Sequence, residues 1–119
     1  MSLNNEQWRF LQDLAKLIIF AEQKGFTLSG GELYRTVEQQ KIYFTSGKSK
    51  TMDSQHLKRL AIDLNVFVNG QLTYDWTTIK PLGDYWESLS VFNRWGGDFN
   101  RDGMENGFID SPHFERTFI

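Results

Sequence analysis

The sequence predicts an α+β fold, a small and largely antiparallel sheet packed with helices on one side, and three observations predict it. Near the N-terminus, apolar residues recur at three- and four-residue spacing, as on one face of a helix. In the middle, branched residues alternate along Leu60 to Val68 and run into Asn69-Gly70, the strongest short hairpin signal. Downstream, Pro81 leads a second helical pattern.

Element by element, Trp8, Leu11, Leu14, Ala15, Ile18 and Ala21 mark an amphipathic helix from about Asn5 to Lys24 that faces the core, with Gly25 as its stop. Phe10, Leu17 and Ile19 widen its stripe. Phe26-Thr27-Leu28 reads as a short strand before Gly30-Gly31. Thr36-Val37-Glu38-Gln39 has the spacing of a capping box, which predicts a second helix from Val37 to about Phe44 and leaves Arg35 just before it. Ser46 to Asp53 is polar, with Lys41, Gly47, Lys48 and Lys50 in or near it. It lacks the Gly-x-x-x-x-Gly-Lys spacing of a phosphate cradle and reads as a mobile loop.

Alternation along the central strand puts Ala61, Asp63 and Asn65 on one face and Ile62, Leu64 and Val66 on the other. The polar face then looks toward a site and the branched face toward the core. Leu72-Thr73-Tyr74 returns as the partner strand. Pro81 fits the first turn of a helix through Leu82, Tyr85, Trp86 and Leu89, ending before Asn93. Trp95-Gly96-Gly97 reads as a tight turn beside a core aromatic. His113-Phe114-Glu115 opens a last strand expected to reach Ile119.

The 119 residues predict a single domain, 1–119, with one core, a shallow cleft and little left for a second module. Ten Phe, four Tyr and four Trp can close that core without disulfides. A net charge of −2 gives no electrostatic case for nucleic acid or an anionic lipid surface. The absence of cysteine excludes a disulfide scaffold, a Cys-ligated metal and a cysteine nucleophile. Gln7, Arg9, Gln12, Asp13 and Lys16 interrupt the N-terminal apolar residues, and no run approaches the ~18 residues of a membrane span. The chain is therefore expected to start in the cytoplasm without a secretory signal, and not to insert into membranes.

Chemistry concentrates at the two histidines, each inside a polar cluster: Ser54-Gln55-His56 through Asp63, and Asp110-Ser111-Pro112-His113-Phe114-Glu115. Zinc accepts His nitrogen and Asp oxygen at about 2.0–2.2 Å, and its catalytic sites use three protein ligands so that water keeps a fourth position. His56, Asp63 and His113 supply such a set. The water there would have its pKa lowered to about 7. Asp110, three residues before His113, is the candidate general base.

Ser-x-His-x-x-x-x-Ala-x-Asp, followed by Trp95-Gly96-Gly97-Asp98 and by Asp-x-x-His-Phe, resembles the zinc peptidases of peptidoglycan. These include phage endolysins of the L-alanyl-D-glutamate peptidase type and D-Ala-D-Ala carboxypeptidases. Tyr34-Arg35-Thr36 and Gly47-Lys48-Ser49 also match, in the family's order, so that the resemblance covers residues 30 to 115. It implies a fold of the D-Ala-D-Ala carboxypeptidase and hedgehog kind, with His56, Asp63 and His113 on zinc and Asp110 as the base. Arg35 matches an arginine that steadies substrate or oxyanion, and Ser54 a hydroxyl that contacts substrate or supports a ligand. One departure is Arg59, where the family usually has glycine, a residue that suggests a special backbone angle or close packing.

The activity so implied is hydrolysis of the L-alanyl-D-glutamate bond of a stem peptide by a monomer that carries no separate cell-wall-binding module and reaches the wall after release from the host cytoplasm. Two alternatives stand beside it: a D-Ala-D-Ala carboxypeptidase, with Arg35 reading the free carboxylate, and a wall-binding module without catalysis. Single residues also have plainer readings. Either histidine alone would be a structural residue, Arg35 a salt-bridge partner at a helix start, and Asp110 an Asx turn or cap. Asp98, Asn100 and Asp102, with Gly103, begin like an EF-hand calcium loop, but the twelfth position is Ile109 instead of a bidentate Glu. Calcium there, or a solvated turn with Asx bonds, are the two expectations.

Overall fold

In the computed structural model, which describes residues 2–117, helix α1 spans Leu3–Gln23, capped by the Ser2 hydroxyl, which accepts from the Asn5 amide. The face it buries shares Leu14 and Ala21 with the predicted stripe, and Phe10 and Leu17 with its widened edge, but turns away from the rest. Glu6, Phe10, Asp13, Leu17 and Ala21 point inward, whereas Trp8, Leu11, Ala15, Ile18 and Ile19 are exposed. Two acids on the inner stripe have buried partners, which turns the helix. Arg116 donates from Nε and Nη2 to Glu6 Oε1 at 3.3 and 3.2 Å, and Asn93 Nδ2 donates to Asp13 Oδ2 at 3.0 Å.

Strand β1 (Thr27–Gly30) and helix α2 (Val37–Thr45) follow as the sequence predicts, and the Thr36 hydroxyl accepts from the Gln39 amide. Residues 46–53 form a loop, and a 3₁₀ turn at Gln55–Lys58 leads into β2 (Ala61–Val68). Asn69 and Gly70, both at positive φ, turn the chain into β3 (Gln71–Thr73).

Helix α3 spans Trp76–Leu89, so its start lies earlier than Pro81 suggests. Asp75 sets that start, its Oδ2 accepting from the Thr78 amide and hydroxyl at 2.9 and 2.7 Å, and Pro81 falls in the second turn. Strand β4 (Asn93–Trp95) was not expected; three residues are too few for periodicity to register. A 3₁₀ turn at Gly96–Asp98 follows, and β5 (His113–Arg116) ends short of the expected Ile119, which with Phe118 lies outside the described residues.

All pairings are antiparallel, in the order β1-β2-β5-β4, with β3 also on β2. Ala61, Ile62 and Asp63 face Glu115, Phe114 and His113, while residues further along β2 pair with β3. Ile62, Leu64, Val66 and Phe114 join Phe10, Leu17, Ile79, Leu82 and Trp86 in the core between sheet and helices. The opposite face carries Asp63, His113 and Glu115. No helix among the described residues is long and apolar enough to cross a membrane.

Trp95 is fixed between two glycines. A Cβ on Gly83 or on Gly97 would lie 2.2 Å from its ring, and its Nε1 donates to Ser111 O at 2.7 Å. Gly→Ala in an open helix gains about 1 kcal/mol, but at Gly83 the ring must move. Gly83→Ala is therefore expected to destabilise, by about 1–3 kcal/mol, measured as a lower urea midpoint; a raised midpoint would show that the ring has room.

Candidate metal centre

His56 is positioned by local backbone chemistry. The Ser54 hydroxyl accepts from the His56 amide at 3.2 Å and caps the 3₁₀ turn, which closes at Arg59 with φ of 56°. That left-handed angle is the one glycine favours. Arg59 adopts it nonetheless, its guanidinium lying 4.3 Å from the Tyr34 ring centroid.

The His56 ring is buried, and its Nδ1 lies 2.8 Å from Leu33 O. A carbonyl can only accept, so Nδ1 carries a proton, and in the neutral ring Nε2 is the nitrogen left with a lone pair. His56 Nε2 stands 3.4 Å from Asp63 Oδ1, and both atoms are buried without a hydrogen-bond partner.

Across the strands, Asp63 and His113 are register partners, and His113 Nδ1 lies 3.5 Å from the same Asp63 oxygen. The other ring nitrogen, Nε2, is 2.7 Å from Glu115 Oε1. Glu115 is itself clamped by Arg94, which donates from Nε and Nη2 at 3.0 and 2.8 Å. One donor atom each from His56, Asp63 and His113 lies within 4.8 Å of the others, and this trio can hold a metal ion. Each histidine is oriented through the nitrogen that faces away from the centre, one by a carbonyl and one by a carboxylate, as metal-ligating histidines are.

The electrostatics follow from this geometry. Burial pushes the Asp63 carboxyl upward, but the attraction of the His113 and His56 rings beside it outweighs that and holds the group well below the usual carboxylate range. Burial likewise works to lower His113, yet the nearby Asp63 carboxylate and the bond to Glu115 push it up to about 9. Asp110 moves the other way from Asp63. Burial raises its pKa, the charge of Asp63 adds to the rise, and the charges of His113, His56 and Arg35 oppose it.

Asp110 sits at the mouth, its Oδ2 4.0 Å from His113 Nδ1. Its amide donates to Gly96 O at 2.8 Å, and its carbonyl accepts from the His113 amide at 3.0 Å. Only glycine fits at 96, because a Cβ would meet Asp110 O at 2.3 Å and His113 Cβ at 2.7 Å. Arg35 lines the same cleft of about 530 Å³. Its Nε donates to Glu32 Oε1 at 2.6 Å, its Nη1 to Gln40 Oε1 at 2.8 Å, and its guanidinium stacks 4.6 Å from the Tyr43 centroid.

Sequence reasoning missed Glu115, Gln40 and Glu32. Glu115 left a signal, since residues two apart on a strand share a face and His113 is one of them. Gln40 left none: it is a fully buried amide on a helix of weak apolar pattern.

The calcium expectation finds no support. Asp98 Oδ1 and Oδ2 accept from the amides of Asp102 and Gly103, Asn100 Oδ1 from Asp102, and Asp102 Oδ1 from Met104. The loop spends its oxygens on its own backbone in Asx turns.

Known proteins resemble this chain in sequence and in fold. The L-alanyl-D-glutamate peptidase of Listeria phage A118 is 35% identical over 106 residues, an alignment that takes in 87% of this chain and 35% of that protein. The chain thus spans about a third of that relative's length. The crystal structure of the Serratia marcescens L-Ala D-Glu endopeptidase ChiX shares the fold, with a TM-score of 0.65 and 24% identity over 90% of this chain and 80% of that one. Residues 5–117, which contain every side chain of the centre, match the phage L-alanyl-D-glutamate peptidases, and the chain belongs to that family.

Proposed function

We propose that this chain is a zinc-dependent peptidase that hydrolyses the L-alanyl-D-glutamate bond of peptidoglycan stem peptides, acting on the wall after release from the cytoplasm. The observation that carries the reading is the pair of buried, unpartnered atoms, His56 Nε2 and Asp63 Oδ1, beside His113 in a cleft that Asp110 and Arg35 also line. Buried polar atoms are rarely left unpaired in native proteins, and a cation accounts for both. Two imidazoles and a carboxylate are a donor set of catalytic zinc, which supplies a Lewis acid and lowers the pKa of the attacking water to about 7.

The chain's own residues do the rest. Asp110, its pKa raised by partial burial, takes a proton from the water as the water oxygen bonds to the scissile carbonyl carbon. Arg35, held by Glu32, Gln40 and Tyr43, faces the charge that develops on the carbonyl oxygen. As the C–N bond breaks, Asp110 returns the proton to the leaving amine. Ser54 acts through His56, whose turn it caps.

Digestion of purified peptidoglycan with end-group analysis tests the reading, and a new free amine on D-glutamate is the expected product. Released D-alanine would make the protein a carboxypeptidase. Wall binding with no new amine would make it a non-catalytic module. Elemental analysis should find about one zinc per chain, lost in His56→Ala.

Two predictions concern the zinc itself. Glu115→Ala removes the acceptor that orients His113 and should weaken zinc binding about 10–100-fold; equal affinity in a chelator competition would strip Glu115 of that part. Zinc must also displace the proton from His113 Nδ1, which the metal-free protein holds up to about pH 9. Apparent affinity should therefore fall about tenfold per unit as pH drops below that value. A flat profile between pH 6.5 and about 9 would contradict it.

A further inference from the structure

Glutamate has two carboxyl groups, and a peptide chain running through it can use only one. The residue on the amine side of an L-alanyl-D-glutamate bond therefore keeps a free carboxylate close to the scissile nitrogen. The cleft opposes such a group, since Glu32, Asp53, Asp63, Asp110 and Glu115 all line it. Its two arginines are already engaged by carboxylates, Arg35 by Glu32 and Arg94 by Glu115.

Lys48 and Lys50 also line the cleft, and neither makes an ion pair among the described residues. Lys48 Nζ lies 5.8 Å from the centroid of Tyr43, the ring that also carries Arg35. Lys50 Nζ lies 5.9 Å from Phe108, which stacks on Phe99 at 6.0 Å, and Phe99 lies 5.4 Å from His113. The two ammonium groups thus reach from the Arg35 wall to the aromatic wall beside the metal ligand. Their segment is pinned from below, because buried Gln40 donates from Nε2 to Ser49 Oγ at 2.9 Å and to Thr51 O at 2.5 Å. Ser49 is drawn inward and the lysines on either side of it stay exposed.

We propose that Lys48 and Lys50 are specificity-determining residues whose ammonium groups bind the free carboxylate of the residue on the amine side of the scissile bond. The inference rests on the peptidase reading above and adds which chemical form of the substrate is selected. Stem peptides with that carboxyl converted to a carboxamide are poor substrates.

The test compares two N-acetylated L-Ala-D-Glu peptides, each extended through one glutamate carboxyl, with the other carboxyl free in one and a carboxamide in the other. Charge-assisted hydrogen bonds of this kind correspond to about 10- to 100-fold in binding. The zinc-loaded wild-type protein is expected to favour the free acid by about that factor, mostly through KM. In Lys48→Met/Lys50→Met the ratio should collapse toward one, and Lys48→Arg/Lys50→Arg should restore it. Added salt should shrink the wild-type preference, because the pair is exposed to screening. A wild-type protein that cleaves both peptides equally, or a methionine variant that keeps the preference, overturns the assignment of the lysines. A protein that releases no amine from either peptide overturns the peptidase reading and this inference with it.

Discussion

Turnover is expected to fall about 10²–10⁴-fold when Asp110 is replaced by alanine, while zinc content and fold stay unchanged. The backbone at 110 is held independently of the side chain, by the bond from its amide to Gly96 O and the bond its carbonyl accepts from His113. The carboxylate is 41% exposed, and its nearest charged partner is 4.0 Å away, so its removal leaves no orphaned buried charge. Only the proton transfers lose their carrier. Asp110→Asn keeps the shape and removes the basicity, and should lose as much. Near wild-type rates in either variant, measured on peptidoglycan at saturating zinc, would remove Asp110 from the reaction.

For stability, the largest effect is expected at Glu6. Its side chain and that of Arg116 are 2% and 3% exposed, and Arg116 Nη1 also donates to Ser90 Oγ at 3.2 Å. Removing one partner of a buried pair strands the other charge, so Glu6→Ala should cost about 3–5 kcal/mol. That is a large share of the roughly 5–15 kcal/mol that holds a domain folded. Converting both residues to apolar ones, as in Glu6→Leu/Arg116→Met, should recover most of the loss, because burying two charges costs much of what their attraction returns. Urea unfolding reads both variants. A Glu6→Ala cost below about 1 kcal/mol would mean that water reaches the arginine.

The same pair explains what the sequence concealed. Apolar periodicity assigns acids to solvent, so the predicted face left out Glu6 and Asp13 and took in Trp8, Leu11 and Ile18, which the structure leaves exposed. The partners, Arg116 and Asn93, lie 110 and 80 residues away, beyond any local pattern. Elements whose signal is local were legible: the Thr36 cap, the Asn69-Gly70 turn, and the alternation that put Asp63 opposite the branched core residues. The trio of donors was legible because its residue types are scarce, two histidines in the whole chain. What orients the site was less so, since Leu33 holds His56 through a backbone carbonyl and Gln40 holds Arg35 through an amide, groups that composition cannot rank.

Gln40 ties two parts of the cleft that otherwise belong to different segments. One end of its amide accepts from Arg35, and the other donates to Ser49 Oγ and Thr51 O. An exchange of residues 46–53 with a loop from a relative would therefore disturb the arginine as well, unless the incoming loop offers Gln40 two acceptors. Chimeras that respect that condition can vary what is selected while keeping what is catalysed. Those that ignore it will lose rate on every peptide, and the loss will resemble a poor choice of loop when its cause is one unsatisfied amide.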